Sequence, residues 1–451
     1  MNSTLREILG FGERSYQLTV PRSEENEGLL ILGDPGTGKS QVIHQLLDHI
    51  ARRKPQEAVV CYDPAGEFIE RHFDPDRDIV LNPLDLRCPQ WMPGYEFDAA
   101  PMRQFIAESF FPCPEHSPAN TQFFIKAARS IFAQMLTFSA TPERLVEMLS
   151  DESLIDYCVA RTEHAHLIAK DAKGQRGGVL ATLSEIGESF KLLPSEERPK
   201  HWLSLYKWAR QREGWIFITS THSTRESLRR LQAAWINMLL GNLLTSYSAS
   251  HQRPCWMLID EVHALKHLPI LSSTLVEARK FGVKMVLGTQ NKAQFEEHYG
   301  RGAATMLASS HTKIFFRCNE PESARWVSEM IGEEEKERPR IGTTATVQAN
   351  GRDSINYSTF TERRSVVSKE QIMALPNLHG YWKYGDSVVP FRIEPVDRPK
   401  VAESFIQRPP KPVIQKELKQ QTPGINSPTS GNGDHATEIT TEMIDDVDTE
   451  F

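Results

Sequence analysis

The sequence has no apolar run long enough to cross a bilayer, which takes about 18 consecutive residues. The nearest candidate, residues 231–244, is interrupted by Gln232, Asn237 and Gly241. The first residues also lack the basic and apolar regions of a signal peptide. The sequence therefore predicts neither a transmembrane segment nor a secretion signal.

Cysteine is scarce, and positive charge is in the minority. Six cysteines occur in 451 residues without a C-x-x-C pair, which excludes zinc-ribbon spacing and favours reduced thiols in a cytosolic protein. Lysine and arginine number 52 against 59 for aspartate and glutamate, so the formal net charge is −7. A protein that coats nucleic acid through bulk charge is excluded, and any contact with nucleic acid requires a local basic patch.

Short apolar segments alternate with helical periodicity on either side of a helical block. This alternation predicts an α/β fold with a mostly parallel sheet covered on both faces. Between residues 97 and 207 the periodicity is almost only helical, which predicts an all-α insertion. Strands are predicted at residues 29–33, 58–62, 78–81, 214–219, 255–259, 283–287 and 313–316.

The last quarter of the chain has a different composition. Residues 333–365 are charged and turn-rich and predict no regular element, whereas residues 381–393 predict a terminal strand pair. From residue 401 the composition shifts to proline, glutamine, serine and acid, and no lysine or arginine follows Lys419. The sequence therefore predicts a disordered acidic tail at residues 401–451.

One segment fits the phosphate-loop pattern G-x-x-x-x-G-K-[ST], with a predicted strand before it and a helix after it. Glycines allow backbone N–H groups to surround phosphate oxygens, and the helix N-terminus adds positive potential. Lys39 would reach the β- and γ-phosphates, and the Ser40 hydroxyl would bind Mg²⁺. The segment is Gly33-Asp34-Pro35-Gly36-Thr37-Gly38-Lys39-Ser40.

Polar side chains end the two predicted strands 255–259 and 283–287. Asp260 would hold Mg²⁺ through water, and Glu261 would polarise an attacking water molecule. Gln290 occupies the position of a γ-phosphate sensor. Adjacent acids favour hydrolysis over phosphoryl transfer to a metabolite, so we expect an ATPase with ATP and Mg²⁺ as its ligands.

Basic residues are candidates for two further roles. A ring ATPase needs an arginine from the neighbouring subunit, and both Arg317 and Arg325 follow the last core strand, with Arg317 preferred. No base-reading motif is present, so any DNA binding should be independent of sequence. The clusters that could contact DNA phosphates are Arg225, Arg229 and Arg230, then Lys266, Arg279, Lys280 and Lys284, and Arg363-Arg364.

These motifs resemble those of type IV secretion coupling proteins, the TraD/TrwB-like conjugation ATPases within the FtsK/HerA-type motor group. Residues 62–68, Tyr-Asp-Pro-Ala-Gly-Glu-Phe, are similar to the family's Y-D-P-x-G-E-F. Residues 78–87 are similar to its D-x-x-L-N-P-x-D-x-R, and the Gly288-Thr289-Gln290 and Ala374–Leu378 segments also match. The resemblance extends over residues 15–395.

The resemblance implies a RecA-like nucleotide-binding domain that carries an all-α insertion. It implies a hexamer that hydrolyses ATP, binds DNA without sequence preference and passes a relaxase–DNA substrate to the secretion channel. The chain then divides into a first nucleotide-binding part (1–96), the insertion (97–207), a second nucleotide-binding part (208–400) and a tail (401–451). The acidic tail resembles the recruitment tails of some members.

The family usually carries an N-terminal membrane anchor, and only 32 residues precede Gly33 here. We therefore expect a cytoplasmic protein, either free or peripheral at the inner membrane beside an anchored partner, or a truncated chain. Two alternatives stay open: a soluble HerA/FtsK-like DNA translocase in repair or plasmid maintenance, and a nucleotide-dependent substrate adaptor without motor activity. The transported substrate and its direction are also open.

Overall fold

A computed structural model of the chain describes residues 25–96, 100–114, 117–138, 141–194, 202–245, 253–300, 302–344 and 354–409. The predicted tail lies outside the described residues from residue 410 onward. The described strands are β1 (Leu29–Leu32), β2 (Ala58–Asp63), β3 (Ile79–Leu81), β4 (Trp215–Thr219), β5 (Cys255–Ile259), β6 (Val283–Thr289), β7 (Thr312–Phe315), β8 (Glu333–Thr344), β9 (Ser354–Ser365), β10 (His379–Tyr384) and β11 (Ser387–Arg392).

The helices connect these strands and form one long helical segment between β3 and β4. They are α1 (Lys39–Ala51), α2 (Ile69–His72), α3 (Ala100–Phe110), α4 (Ala119–Met135), α5 (Pro142–Ser150), α6 (Glu152–Val159), α7 (Lys173–Lys191), α8 (Leu205–Gln211), α9 (Arg225–Thr245), α10 (Leu271–Glu277), α11 (Lys292–Tyr299), α12 (Gly302–Ser309), α13 (Pro321–Ile331) and α14 (Lys369–Met373).

Nine of the described strands form one sheet, in the order β11-β10-β7-β1-β6-β5-β2-β4-β3. Strands β1 to β7 pair in parallel, and β10 and β11 extend the β7 edge in antiparallel fashion. Strands β1, β2, β4, β5 and β6 are buried along their whole length, as parallel strands between two helical layers are. The predicted α/β class with a mostly parallel sheet is confirmed.

Side chains along the central strands alternate between two hydrophobic cores. In β2, Val59 and Cys61 pack with Ile43 and Leu47 of α1 on one face of the sheet. Val60 and Tyr62 join the core on the other face, together with the buried side of α9. Because side chains alternate along a strand, β2 holds both helical layers on the same sheet.

The helical segment between β3 and β4 shares its core with the sheet. Phe110 and Phe190 belong to the same buried cluster as Val60, and the ring centroids of Trp91 and Trp235 lie 5.8 Å apart. Among the described residues, these helices therefore form a layer over one sheet face. Helix α8 crosses the predicted boundary at residue 207, so the helical segment continues to Gln211.

Residues 333–365 differ from the prediction, because they contain the antiparallel ribbon β8–β9. Glu335 lies opposite Arg363 in its register, and Arg363 Nε donates to Glu335 Oε1 at 3.0 Å. Opposite charges on facing strands stabilise such a pair. The sequence signal failed because charged residues interrupt the apolar alternation by which a strand is recognised.

The predicted start of the tail at residue 401 is too early. Arg408 N–H donates to Leu84 O at 2.8 Å, and Leu86 N–H donates to Ile406 O at 2.8 Å. Residues up to Arg408 therefore belong to the same unit as the sheet. Composition missed this because the segment is held by backbone hydrogen bonds rather than by apolar side chains.

No helix in the described parts of the chain is both long enough and apolar enough to span a bilayer.

Candidate nucleotide-binding site

The carboxyl ends of parallel strands bring the predicted site residues to one edge of the sheet. The phosphate loop follows β1, the two acids follow β5, and Gln290 follows β6, which lies between β1 and β5. They surround a cavity of about 440 Å³. Its lining consists of Pro35, Gly36, Gly38, Lys39, Ser40, Gln41, Glu67, Asp260, Glu261, Gln290 and Leu378.

Neighbouring loops brace the phosphate loop from both sides. Asp34 N–H donates to Arg317 O at 2.9 Å, and Leu378 N–H donates to Thr37 O at 2.7 Å. Gly38 has a φ of 125°, a region that favours glycine, and a Cβ there would lie 3.1 Å from Leu378 Cδ2. The protein's own backbone therefore fixes the shape of this loop.

Helix α1 presents its N-terminus and one ammonium group to the cavity. The helix begins at Lys39 without a side-chain cap, so its first amide groups stay available to an anion. Lys39 Nζ donates to the carbonyls of Gly33 (2.6 Å) and Asp34 (3.1 Å). Burial lowers the pKa of Lys39, and the nearby carboxylates, Asp260 first, oppose that shift.

Asp260 supplies a buried carboxylate on the same cavity as the Ser40 hydroxyl. Its Oδ1 atom is buried and accepts no hydrogen bond from the described residues. Burial raises the pKa of Asp260 to about 6, against the lowering effect of Lys39. An orphaned carboxylate oxygen beside a hydroxyl suits a hard divalent cation, so this donor set fits Mg²⁺ with a phosphate chain.

Three polar side chains surround the carboxylate of Glu261, and one of them is hydrogen-bonded to it. Gln290 Nε2 donates to Glu261 Oε1, and His263 Nε2 lies 3.3 Å from the same oxygen. Arg225 Nη1 lies 3.9 Å from Glu261 Oε2. A carboxylate fixed at the cavity wall in this way can accept a proton from water. The contact between Gln290 and Glu261 joins two residues that the sequence placed in separate roles.

Sequence reasoning assigned no role to three residues that line the cavity: Gln41, Glu67 and Leu378. Glu67 and Leu378 belong to motifs that carried the family resemblance, so their signal was present. Leu378 has a φ of 64°, which is uncommon for leucine and typical of residues held at functional sites. No sequence motif includes Gln41, and only its position directly after Ser40 could have indicated a place in the site.

The two candidate arginines lie in different environments. Arg317 is half-buried, and its Nη1 donates to Leu375 O of its own chain at 3.2 Å. Arg325 is 53% exposed and pairs with the exposed Glu322 at 3.3 Å. Ion pairs at the surface contribute little to stability, so this pair can be exchanged for another partner at low cost. Arg325 is therefore the more exposed of the two candidates, and which of them acts between subunits stays a prediction.

Most of the basic clusters predicted to contact DNA form ion pairs within the chain. Lys284 is buried between Glu25 (2.8 Å) and Glu57 (2.9 Å), which removes it from the candidates. Arg225 is held by its own chain, because its Nη2 donates to Pro64 O at 3.1 Å and its Nη1 lies 3.9 Å from Glu261 Oε2. Arg229, Arg230 and Lys266 line a second cavity of about 280 Å³ that α3, α7 and α9 help to form.

The chain is similar to known proteins of one kind. A family model described as "Type IV secretion-system coupling protein DNA-binding domain" matches residues 16–394. Coupling protein TraD of Escherichia coli (strain K12) is 30% identical over 422 residues, which cover 90% of this chain and 58% of TraD. The chain thus spans less than two thirds of that relative.

Two solved structures have the same fold. The unbound bacterial conjugative coupling protein TrwBdeltaN70 is 23% identical with a TM-score of 0.74, covering 89% of this chain and 93% of its own. Plasmid coupling protein TrwB in complex with ADP and Mg²⁺ is 22% identical with a TM-score of 0.73, covering 90% and 94%. This likeness shows a shared α/β architecture.

The raised pKa of Asp260 predicts a stability change on substitution. An unfolded aspartate titrates near pH 3.9, so between about pH 4 and 6 the folded protein binds more protons and its stability falls as pH rises. Asp260→Asn removes the buried charge. In thermal unfolding without nucleotide or Mg²⁺, we expect a higher Tm than the wild type at pH 8 and little difference at pH 4.5.

Asp386→Asn, in an exposed turn, serves as the control and should leave the Tm unchanged at both pH values. A lower Tm for Asp260→Asn at pH 8 would contradict the burial of an unsatisfied carboxylate at this site.

Proposed function

The chain belongs to the type IV secretion-system coupling protein family, and from that premise we propose that it is a P-loop ATPase that couples ATP hydrolysis to conjugation. One observation supports this most directly: the phosphate loop, Asp260, Glu261 and Gln290 converge on a single cavity. In the proposed role the protein delivers DNA, or a relaxase–DNA complex, to the secretion channel.

Each proposed role follows from the chemistry that the side chain offers. Lys39 and the first amide groups of α1 bind the β- and γ-phosphates of ATP. Ser40 and Asp260 would hold Mg²⁺, Asp260 through water, and the bound cation would supply positive charge to the phosphate oxygens. Glu261 accepts a proton from the attacking water, and Gln290 positions that carboxylate while it contacts the γ-phosphate.

The composition of the cavity wall supports a contribution from a second subunit. Among the described residues that line the cavity, the only cation is Lys39, and no arginine is present. Phosphoryl transfer in ring ATPases is completed by an arginine from the neighbour. We therefore propose a homo-oligomer, a hexameric ring in keeping with the family resemblance, in which Arg325 or Arg317 enters the adjacent site.

The remaining partners are proposed on the family relation alone. DNA would be bound without sequence preference through phosphate contacts, for which the exposed Lys266 and Lys280 stay available. The relaxase and the secretion channel would be the protein partners, and an anchored protein would bring the chain to the cytoplasmic face of the inner membrane.

The assigned roles of Lys39 and Glu261 can be separated by substitution. Lys39→Ala should abolish nucleotide binding and hydrolysis, because the phosphates lose their ammonium partner. Glu261→Gln should keep binding of an ATP analogue within a few-fold and lower the hydrolysis rate at least about 100-fold, because the proton acceptor is lost. Binding and turnover are measured separately on the purified chain.

The control for Glu261→Gln is Glu277→Gln, an exposed acid of α10 outside the cavity lining, which should retain full activity. Near-normal hydrolysis by either Lys39→Ala or Glu261→Gln would show that the catalytic site lies elsewhere.

A mixing experiment tests the arginine from a second subunit. Arg325→Ala and Lys39→Ala should each be inactive alone. Mixed before assembly, they should regain activity, because a Lys39→Ala subunit still supplies its arginine to an intact phosphate loop next door. The same mixture with Arg317→Ala identifies which arginine acts. If neither mixture gains activity over its separate components, an arginine acting between subunits is contradicted.

A further inference from the structure

Residues 396–408, here named the C-terminal strap, connect helix α2 to the loop that follows β3. Val401 N–H and Ala402 N–H donate to Glu70 O at 2.8 and 3.3 Å. Ile406 N–H donates to Asp85 Oδ2 at 3.1 Å in the loop after β3. The strap is therefore part of the nucleotide-binding unit, although more than 300 residues separate it from the phosphate loop.

Arg398 fastens the strap to the helix that begins at the phosphate loop. Its side chain is buried, and its Nε donates to Asp48 Oδ2 of α1 at 2.8 Å. Its Nη1 donates to Gln41 Oε1 at 3.3 Å, and Gln41 lines the nucleotide cavity. A single guanidinium group thus contacts α1 at the cavity and about two turns further along.

A second series of contacts connects Arg398 to another residue of the cavity wall, Glu67. Asp48 lies 3.7 Å from His72 Nδ1, and His72 Nε2 lies 2.9 Å from His44 Nδ1. His44 Nε2 lies 3.3 Å from Glu67 Oε1, which lines the cavity. Burial lowers the pKa of His72 to about 4, so this ring is neutral at pH 7 and can share one hydrogen bond with His44.

The strap also packs directly on the turn that carries Glu67. Gly66 has a φ of 72°, and a Cβ there would lie 2.9 Å from the Ser404 Cβ. Asp63 fixes the same turn, because its carboxylate accepts the N–H groups of Glu67, Phe68 and Ile69 at 2.8–3.0 Å. The strap therefore reaches Glu67 by two routes, through Gly66 and through Arg398, while Asp63 fixes the turn from within the sheet.

We propose that Arg398 is a positioning residue of the nucleotide site, which sets Gln41 directly and Glu67 through Asp48, His72 and His44. Strap docking and nucleotide binding are then coupled, and by linkage each stabilises the other. This inference rests on the proposed function, since it concerns ATP binding at the same cavity. A purely structural strap would support folding and leave the two events independent.

The test uses the full chain and a non-hydrolysable ATP analogue with Mg²⁺. Arg398→Ala should raise the Kd for the analogue about tenfold, in the range known for residues that orient ligand-binding groups. Arg398→Lys, which keeps the charge, should recover part of that loss. The matched control is Lys400→Ala on the same strap, whose pairs with Glu70 and Glu403 are solvent-exposed and should leave the Kd within twofold.

Hydrogen exchange distinguishes a positioning role from a purely structural one, because only a positioning role makes exchange of the strap amides respond to the bound analogue. In the wild type, the analogue should slow exchange of the Val401, Ala402 and Ile406 amides, and in Arg398→Ala this protection should disappear. Thermal unfolding without nucleotide shows whether each variant folds. If Arg398→Ala does not fold, Asp48→Asn takes its place with the same expected results. This substitution removes the negative charge that holds Arg398 and leaves the side-chain volume almost unchanged.

The outcomes separate this inference from the proposed function. Failure of the wild type to bind the analogue would overturn the proposed function. The coupling alone would be overturned if the wild type binds the analogue and the folded Arg398→Ala variant behaves like it. In that case the variant's Kd is within twofold of the wild-type value, and the analogue still slows exchange of its strap amides.

Discussion

The parallel pairing of the central strands is the constraint on which the rest of this molecule depends. Because β1, β2, β5 and β6 all run in the same direction, their carboxyl ends deliver polar residues to one edge. The strands themselves are buried on both faces, so this edge is where the chain can place charge beside backbone amides. The phosphate loop, the two acids after β5 and Gln290 meet there for that reason.

Buried charge at the site destabilises the ligand-free protein. Asp260 follows β5; burial raises its pKa to about 6, and its Oδ1 accepts no hydrogen bond from the described residues. Burial also lowers the pKa of Lys39. Charged groups held out of water in this way are costly until a ligand satisfies them. Bound nucleotide and Mg²⁺ would offset that cost, which is how such a site can link ligand binding to conformation.

Local patterns predicted the core of the fold and most of the residues that meet at the cavity. The apolar runs at β1, β2 and β5 and the glycine-lysine pattern at residues 33–40 are short-range signals, and the structure brings them together as expected. The ribbon at residues 333–365 was missed because its strands carry charge in place of apolar alternation. The strap was missed because backbone hydrogen bonds to Leu84 and Glu70 leave no trace in composition.

The parts of the site that the sequence did not predict depend on contacts between residues far apart in the chain. Glu67 stands in a recognised motif, but only the folded chain shows that it lines the cavity and contacts His44. The preference for Arg317 followed from its place after β7, whereas its contact with Leu375 depends on a loop nearly sixty residues further along. The role of a residue that depends on which loops meet at the sheet edge can be assigned only from the three-dimensional structure.

In the proposed function, ATP hydrolysis at this cavity drives work on DNA. The most direct test measures the ATPase rate of the assembled protein alone, with single-stranded DNA and with double-stranded DNA, at two salt concentrations. We expect DNA to stimulate the ATPase rate and this stimulation to weaken as the salt concentration rises, because phosphate contacts release counterions. An unstimulated rate, in an oligomer whose mass has been verified, would contradict a DNA motor and favour a nucleotide-dependent adaptor.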